Sequence, residues 1–399
     1  MIATVVDTPH LNRALLARQH LLERVAGSPD GAVAPGAVED LVEHLVGLQA
    51  QNPSTAYPTL WSRLAGFTHA DLGDALLDRR VVRVAAMRGT IHLLTARDAL
   101  ELPELLRPLF VRGLRSNAAY GPALRDVDLG ELAAVARDLV ETEPLTPQQL
   151  GARLAERWDT DPGALSYAAR GTNALVQVTP RGVWGRSGGT TWTTTRAWLG
   201  AEPASYGGPA DDLAPGDDPV RDAALERLVL RYLAAYGPAS IADVQYWSGL
   251  TGLRPVVASL RDRLDVVRAE PTPAGRPGRE LLDLPGAPRP PAGTPAPVRF
   301  LADYDDVWLA HAERSRIVEP EHRDRVRSPN GVVPGRVLVD GYVRGTWAVR
   351  RARGEPTTLE VTPFVPLTAR QRAEVTAEAE GFVRFVADDA EVHAVTVAA

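Results

Sequence analysis

Residues 219–270 read PVRDAALERLVLRYLAAYGPASIADVQYWSGLTGLRPVVASLRDRLDVVRAE, and their pattern predicts three helices followed by a strand. The first helix repeats apolar residues about every 3.6 positions and ends at Gly237, a residue suited to a helix C-cap. The run LDVVRAE and the later run RELLDLPG predict a hairpin. Helix, turn, helix and hairpin is the winged-helix pattern, a variant of the helix-turn-helix.

Two earlier segments show the same layout of helices followed by a hairpin. In the first, four helical stretches between residues 11 and 80 precede the strand-like runs VVRVAAM and GTIHLLT. In the second, Thr146 and Pro147 suit the N-cap and first position of a helix, and strands are predicted around Gly188 and Gly189. The three copies share little sequence, so the repeat is one of structure.

A different pattern follows residue 298. Strand-like runs dominate there, Asp340-Gly341 is a strong signal for a hairpin turn, and one long helix precedes a last strand. We therefore predict an α+β protein, mainly α, with three tandem winged-helix modules and a β-rich C-terminal domain. The predicted boundaries are 1–118, 119–200 and 220–284 for the modules, 201–219 for an acidic linker, 285–298 for a proline-rich linker and 299–399 for the C-terminal domain.

The composition excludes several kinds of chemistry. The 399 residues include no cysteine, and all 44 basic residues are arginine. Disulfides, thiolate nucleophiles and Schiff bases on a lysine side chain are therefore excluded. Motifs for phosphate loops and zinc proteases are missing, and we predict no metal and no cofactor. No stretch approaches a membrane-spanning helix and the N-terminus lacks a signal-peptide pattern, so we expect a soluble, cytoplasmic monomer with no membrane partner.

The net charge of -6 is unevenly distributed along the chain. Residues 311–353 hold ten arginines against five acids, and residues 78–115 hold eight arginines against four acids. Acids dominate residues 201–222 and 371–399 instead. The two basic segments could face phosphates, or they could be ordinary solvated surface.

Gln49-Ala50-Gln51 is the first candidate site. Pro53 disfavours the α conformation at Asn52, so the helix before the motif should end near it. In an extended segment the two glutamines share one side, and their amide oxygens could together hold a water molecule. Because an amide does not titrate, this arrangement suits only a reaction with an unusually good leaving group. The other interpretation is a helix end with two solvated amides.

Residues 87–94 form the second candidate site. In a strand, Arg88, Thr90 and His92 would share one face, which suits phosphate or sugar contacts or the wall of an active site. His92 could equally be a structural histidine.

Three carboxylates, Asp303, Asp305 and Asp306, form the third candidate. Asp303 and Asp305 could share a strand face, as paired carboxylates do in acid–base or metal sites. No histidine or carboxylate cluster with metal spacing accompanies them. We therefore favour roles in a turn and in pairing with arginine.

Arginines crowd residues 311–327, which makes this segment the best phosphate-contacting candidate in the chain. Salt bridges to acids of the same segment are the alternative. The side chains predicted to bind DNA, here and in residues 87–94, are Arg88, Thr90, His92, Arg314, Arg316, Arg323, Arg325, Arg327 and Asn330.

Five motifs occur along the chain in the order QAQNP, MRGTIHLL, YGPASIADVQYWSGL, LADYDDVWLAHAERSR and VLVDGYVRGTW. Together they resemble the winged-helix DNA glycosylases of the AlkZ and YcaQ type over nearly the whole chain. The YcaQ-like branch has Gln–apolar–Asp where this chain has Gln49-Ala50-Gln51, so the chain resembles the AlkZ branch. One departure is Glu313, where the family often has aspartate.

This resemblance implies modules arranged in a C shape around a DNA channel, with Gln49 and Gln51 as the catalytic pair. It implies excision of N7-alkylated purines from double-stranded DNA, including the unhooking of interstrand crosslinks. In antibiotic producers it implies self-resistance to DNA-alkylating natural products. Since there is no lysine, we predict an intact abasic site as product, with the N-terminal amine as the only candidate for lyase chemistry.

Two other functions also fit the sequence. Tandem winged helices suit a non-catalytic DNA-binding protein or transcriptional regulator. A resistance protein could also sequester the alkylating drug or its adduct without turnover. Release of a modified base, compared with binding of undamaged DNA, separates these alternatives from a glycosylase.

Overall fold

The computed structural model describes residues 4–207, 218–271, 277–326 and 334–398. Among these residues no helix is both long and apolar enough to cross a membrane. The described helices are α1 (Thr8–Arg18), α2 (Ala37–His44), α3 (Ala56–Trp61), α4 (His69–Leu77), α5 (Ala96–Leu105), α6 (Arg107–Ser116), α7 (Leu129–Thr142), α8 (Pro147–Ala155), α9 (Pro162–Thr172), α10 (Thr195–Leu199), α11 (Pro219–Tyr236), α12 (Ile241–Ser248), α13 (Arg254–Ser259), α14 (Asp306–Leu309) and α15 (Ala369–Val386). The described strands are β1 (Thr4–Val6), β2 (Leu48–Gln49), β3 (Val81–Ala85), β4 (Ile91–Thr95), β5 (Leu175–Gln177), β6 (Trp192–Thr194), β7 (Asp265–Ala269), β8 (Glu280–Asp283), β9 (Arg299–Leu301), β10 (Gly335–Val339), β11 (Tyr342–Arg350), β12 (Thr357–Pro363) and β13 (His393–Val397).

One five-stranded sheet joins the hairpins of the first two segments in the order β2-β4-β3-β5-β6. The predicted hairpin of the first segment is confirmed as β3 and β4, which pair antiparallel with Val81 opposite Thr95. β5 extends this hairpin by placing Val176 opposite Val84. Both valines are fully buried, so pairing supplies partners for backbone groups that water cannot reach.

Several predicted boundaries in the second segment are wrong. The sequence predicts a helix over residues 166–177, whereas α9 ends at Thr172 and β5 already occupies Leu175–Gln177. The strands predicted over residues 178–187 and 190–199 are also largely wrong, because residues 178–191 form a loop between β5 and β6, and the short β6 leads directly into α10. The loop contains Pro180 and four glycines, residues that interrupt strands.

Gly47 turns the chain from α2 into the edge strand β2. The sequence predicts a helix over residues 37–50, but α2 ends at His44, and Val46 and Gly47 have φ of 58° and 92°. A Cβ atom on Gly47 would lie 2.3 Å from Cδ2 of Leu94, so only glycine fits there. The predicted extended conformation at Gln49 is confirmed, because β2 pairs antiparallel with β4.

The third segment also carries its predicted hairpin, formed by β7 and β8. The N-terminal strand β1 pairs in parallel with β7, which makes a three-stranded sheet. Gly237 is the C-cap of α11, as predicted.

The β-rich C-terminal part is a five-stranded sheet in the order β13-β12-β11-β10-β9. The predicted turn at Asp340-Gly341 is confirmed, and φ is positive at both residues, 47° and 79°. α15 covers one face of the sheet, where Phe382 stacks on Phe300 with ring centroids 4.9 Å apart.

Buried ion pairs fasten the C-terminal part to the helices of the first segment. Arg63, just after α3, donates two hydrogen bonds of 2.9 and 2.8 Å to the carboxylate of Asp305. Both side chains are fully buried. The main hydrophobic core is continuous across the same boundary, since it includes Leu15, Trp247 and Phe385. The start of α14 is thereby held against the first segment, close to β2.

Candidate active site

Gln49 lies in the edge strand of the sheet, and a hydrogen bond from Arg88 holds its side chain in place. It sits opposite His92 in the pairing of β2 with β4. Nη2 of Arg88 donates a 2.8 Å hydrogen bond to its Oε1, and its main-chain N–H faces the carboxyl group of Asp306. Only 7% of Gln49 is exposed. Because an amide oxygen has two lone pairs, Oε1 keeps one acceptor position for a further donor such as water.

Gln51 is the exposed member of the pair. Its Oε1 accepts a 3.1 Å hydrogen bond from the main-chain N–H of Ile91. Ala50, between the two glutamines, is fully buried, and its N–H donates to the carbonyl of Ile91 at 2.8 Å. Both glutamine side chains are therefore anchored through their oxygens to residues 88–91, and each oxygen retains acceptor capacity.

Arg88 holds Gln49 from a turn and not from a strand. Residues Met87–Gly89 form a 3-10 turn, and Arg88 has a φ of 57°. The predicted strand face shared by Arg88, Thr90 and His92 is therefore wrong, because β4 begins only at Ile91. The turn aims the guanidinium at two acceptors, Gln49 and the carbonyl of Trp247, the latter at 2.6 Å.

His92 is buried, with 1% of its surface exposed. Its Nδ1 lies 3.0 Å from the carbonyl oxygen of Thr90, which can only accept, so Nδ1 carries the proton. Burial and then the charge of Arg88 lower the pKa of His92 to about 3, so the ring is neutral at physiological pH. These features fit the structural interpretation. Thr90 is half-buried and donates its hydroxyl to the carbonyl of Met87 at 3.2 Å.

Asp306, the first residue of α14, lies behind Gln49 and is not among the site residues predicted from the sequence. It is 3% exposed, and its Oδ2 has no hydrogen-bond partner within the described ranges. Burial and then the Asp305 carboxylate raise the pKa of Asp306 to about 7, against the charges of Arg63 and Arg88 and the N–H of Gln49. No local signal marks this contact, because it joins residues far apart in the sequence.

The two other carboxylates of the third candidate have structural partners. Asp305 pairs with Arg63, which confirms the predicted role in arginine pairing. Oδ1 of Asp303 accepts a 2.9 Å hydrogen bond from the hydroxyl of Thr55.

The arginine-rich segment separates into buried and exposed side chains. Arg316 is 2% exposed and donates to the carbonyl of Pro238 at 2.9 Å. Arg314 is half-buried, donates to the hydroxyl of Tyr246 at 2.6 Å and lies 4.6 Å from the ring centre of Trp308. Arg323 and Arg325 are exposed, and Arg323 pairs with Glu313 at 2.6 Å.

The predicted DNA contacts Arg327 and Asn330 lie outside the described residues.

A cleft of about 780 Å³ begins directly after Gln51. One wall is the loop between β5 and β6, including Arg181, Trp184 and the exposed Arg186, and another wall contains Asn52 and Ser54. Arg181 and Arg186 are not among the predicted site residues, because the sequence predicts a strand over them. The signal available was their position in a glycine-rich stretch, RGVWGRSGG, of the kind that forms exposed loops. Neither glutamine lines this cleft, and two larger cavities, of about 910 and 970 Å³, also contain none of the predicted site residues.

One group of described side chains lies close enough together to share a metal ion, namely Glu319, Glu321 and His322. Arg344 already occupies this group, donating to Oε1 of Glu319 at 2.9 Å and lying 3.3 Å from Nε2 of His322. A guanidinium in that position competes with a cation, so we assign no metal there.

Comparison with known proteins gives a consistent result. A profile of the family described as "DNA glycosylase AlkZ-like" matches residues 42–385, a range that contains both glutamines. The chain is 27% identical over 352 residues to the interstrand DNA cross-link repair glycosylase of Streptomyces sahachiroi, which covers 82% of this chain and 85% of the relative. The solved structure of the Streptomyces sahachiroi DNA glycosylase AlkZ superposes with a TM-score of 0.75 at 22% identity, covering 99% of this chain and all of the other. The latter shows a shared fold.

Proposed function

The chain belongs to the AlkZ-like DNA glycosylase family, and from this premise we propose that it hydrolyses the N-glycosidic bond of N7-alkylated purines in double-stranded DNA. We include interstrand crosslinks and bulky adducts of a DNA-alkylating natural product among its substrates, with repair or self-resistance as its role. The observation that carries this proposal is the anchored pair Gln49 and Gln51, whose amide oxygens are held by Arg88 and Ile91.

The chemistry of an N7-alkylated purine fits a pair of groups that do not titrate. Alkylation places a positive charge on the base, so the base leaves as a neutral molecule and needs no general acid. The water oxygen bonds to C1′ of the sugar, the electron pair of the broken glycosidic bond passes to the purine, and the water proton passes to solvent. The transition state resembles an oxocarbenium ion, as in glycoside hydrolysis.

The glutamines would position the attacking water, and their amide dipoles would stabilise the positive charge that develops on the sugar. An amide oxygen with one lone pair free can accept a hydrogen bond from the attacking water, and two such oxygens fix its orientation. The same dipoles face developing positive charge on the sugar and stabilise it. Anchoring by Arg88 and Ile91 means that little reorganisation is needed as the charge develops.

We propose that the helix and hairpin segments act as winged-helix modules around a C-shaped DNA channel. The exposed Arg323 and Arg325 would contact phosphates, and Arg181 and Arg186 would do so beside the motif. A crosslinked base cannot easily be extruded from the duplex, and the open cleft after Gln51 suits a lesion that stays within the helix. No cofactor enters this mechanism.

We propose a monofunctional enzyme that leaves an intact abasic site. Lyase activity normally begins with an amine that forms a Schiff base, and the chain has no lysine side chain to supply one. Trapping of a covalent enzyme–DNA adduct with borohydride would contradict this assignment.

The decisive experiment is single-turnover base release from duplexes that contain N7-methylguanine or an N7-linked crosslink. The double variant Gln49→Ala, Gln51→Ala should lose about 100- to 1000-fold in rate, the range expected when preorganised polar groups are removed from a transition state. The exposed Gln148→Ala is the matched control and should retain the wild-type rate. Undiminished release by the double variant would refute the proposal. Tight binding of DNA by the wild type without any base release would favour a regulator or a sequestering protein instead.

A further inference from the structure

We propose that Asp306 is a positioning residue whose negative charge, applied through Gln49 and against Arg88, favours the cationic transition state. This inference rests on the proposed function. It assigns a role to a buried carboxyl group that the mechanism above does not use.

The geometry sets Asp306 apart from its neighbour Asp305. Asp305 is fully engaged, since it pairs with both Nη atoms of Arg63 and accepts from the N–H of Val307 at 3.0 Å. Asp306 faces the N–H of Gln49, and its Oδ2 has no hydrogen-bond partner within the described residues. A buried carboxyl group with half of its acceptor capacity unused is poorly stabilised as an anion, so small changes in pH can alter its charge.

The groups that face Asp306 come from five elements. Two of them are acids or phenols, Asp305 from its own segment and Tyr236 from α11. Two are cations, Arg63 just after α3 and Arg88 from the 3-10 turn. The fifth is the main-chain N–H of Gln49 in β2. The hydroxyl of Tyr236 donates to the carbonyl of Leu45 at 2.8 Å, so it is not available to Asp306.

Of these groups, Asp306 is the one poised to change charge near neutral pH. Its pKa is raised to about 7, first by burial and then by Asp305. Burial raises the pKa of Tyr236 well above its usual value, so that ring remains neutral. Nearby His92 is also neutral, because burial lowers its pKa to about 3.

The charge of Asp306 matters because Arg88 is a cation hydrogen-bonded to Gln49. We have proposed that Gln49 faces positive charge growing on the sugar, and an unbalanced Arg88 opposes that growth. An ionised Asp306 offsets Arg88, whereas a protonated Asp306 does not. The sign is therefore fixed, and the rate of base release should rise as pH increases through about 7.

The test compares the wild type with Asp306→Asn, which keeps the shape and the acceptor for the Gln49 N–H but carries no charge. Both proteins are assayed in single turnover on the same N7-methylguanine duplex across a pH series. The rate ratio of wild type to variant cancels any titration of the base itself. The ratio should be near one well below pH 7 and about ten-fold well above it, as expected for one charge acting at short range.

Asp303→Asn is the matched control, a nearby carboxylate with a hydroxyl partner, and it should keep the pH dependence of the wild type. A second measurement does not depend on activity. Because burial raises the pKa of Asp306 to about 7, the wild type should lose unfolding free energy as pH rises from about 4, the ordinary pKa of an aspartate, through about 7, and Asp306→Asn should lack this loss.

Three outcomes would overturn the inference. A rate ratio that does not change with pH shows that the charge of Asp306 has no part in the reaction. Equal inactivity of a folded Asp306→Asn at every pH shows that the carboxyl group acts only through its shape and hydrogen bond. Absence of base release by the wild type on any N7-alkylated duplex refutes the proposed function and this inference with it, and that case is recognised by the inactivity of the wild type itself.

Discussion

The edge strand with Gln49 and the arginine-rich segment 311–326 differ in how they hold their polar side chains. Gln49 is held by partners from the 3-10 turn and from α14, neither adjacent to it in sequence. In the arginine-rich segment, Arg316 is buried, whereas Arg323 and Arg325 are exposed to solvent. Gln49 therefore depends on residues that are distant in the sequence. The arginine-rich segment, in contrast, contains both buried arginines with structural partners and arginines exposed to solvent. Density of charge in a sequence does not tell which charges a partner will meet.

Replacing Arg316 should have the largest effect, a loss of unfolding free energy, and tests whether the buried arginines of this segment are structural. Replacing it with methionine removes the buried charge that faces the fully buried Asp243. Asp243 keeps hydrogen bonds from Ser240 and Ala312, but the loss of this charge and of the donor to the Pro238 carbonyl should still cost about 3 kcal/mol of unfolding free energy, which urea titration would measure. The exposed Arg325→Met is the matched control and should change stability by less than about 0.5 kcal/mol. A stable Arg316→Met protein that has lost affinity for DNA would instead make Arg316 a DNA contact.

A smaller effect, on the chemistry, is expected at Arg88, and loss of the donor to the Trp247 carbonyl should also cost some unfolding free energy. Arg88→Met keeps the apolar stem but loses the donor to Gln49, so the amide is no longer preorganised. We expect the single-turnover rate to fall about 30-fold, near 2 kcal/mol in transition-state stabilisation, with a smaller change in affinity for DNA. Arg97→Met is a control on the exposed surface of the same segment. A variant that binds DNA poorly but releases base at the wild-type rate would make Arg88 a phosphate contact.

The smallest effect is expected at Arg325. Losing one phosphate contact in Arg325→Gln should weaken binding a few-fold and lower the slope of log affinity against log salt by about one, without altering the rate at saturation. Measuring affinity at several salt concentrations would test this, with the acid-paired Arg370→Gln as control. An unchanged salt slope would remove Arg325 from the DNA-binding surface.

Local chemistry made parts of the fold predictable. Thr146 and Pro147 do begin α8 as N-cap and first residue, and Asp340-Gly341 does form a hairpin turn, because each signal acts within a few residues. Pro53 predicted a helix end near Asn52, but the turn at Val46 and Gly47 ends α2 earlier, at His44. These features depend on backbone conformation, which nearby side chains control.

Long-range pairing was not predictable from the same signals. The junction of β3 with β5 and the contact of Asp306 with Gln49 both depend on where distant segments dock. Arg88 is an example, because the sequence around it predicts a strand, whereas in the structure Arg88 has a left-handed conformation within a 3-10 turn. The motif, Arg88 and Asp306 could be singled out from the sequence, but the contacts of the two charged residues with Gln49 could not be predicted.

Because Asp306 lies far after Gln49 in the sequence, the two residues can meet only late in the synthesis of the chain. A nascent chain that has emerged only through α13 already contains both glutamines and Arg88, yet it lacks the carboxyl group behind the motif and the partner of Arg63. The contacts of Arg63 with Asp305 and of Gln49 with Asp306 can form only after the ribosome has released α14 and that segment has docked. An enzyme that cuts bases from DNA is in this way kept incomplete until translation has passed the point at which its fold can close around the site.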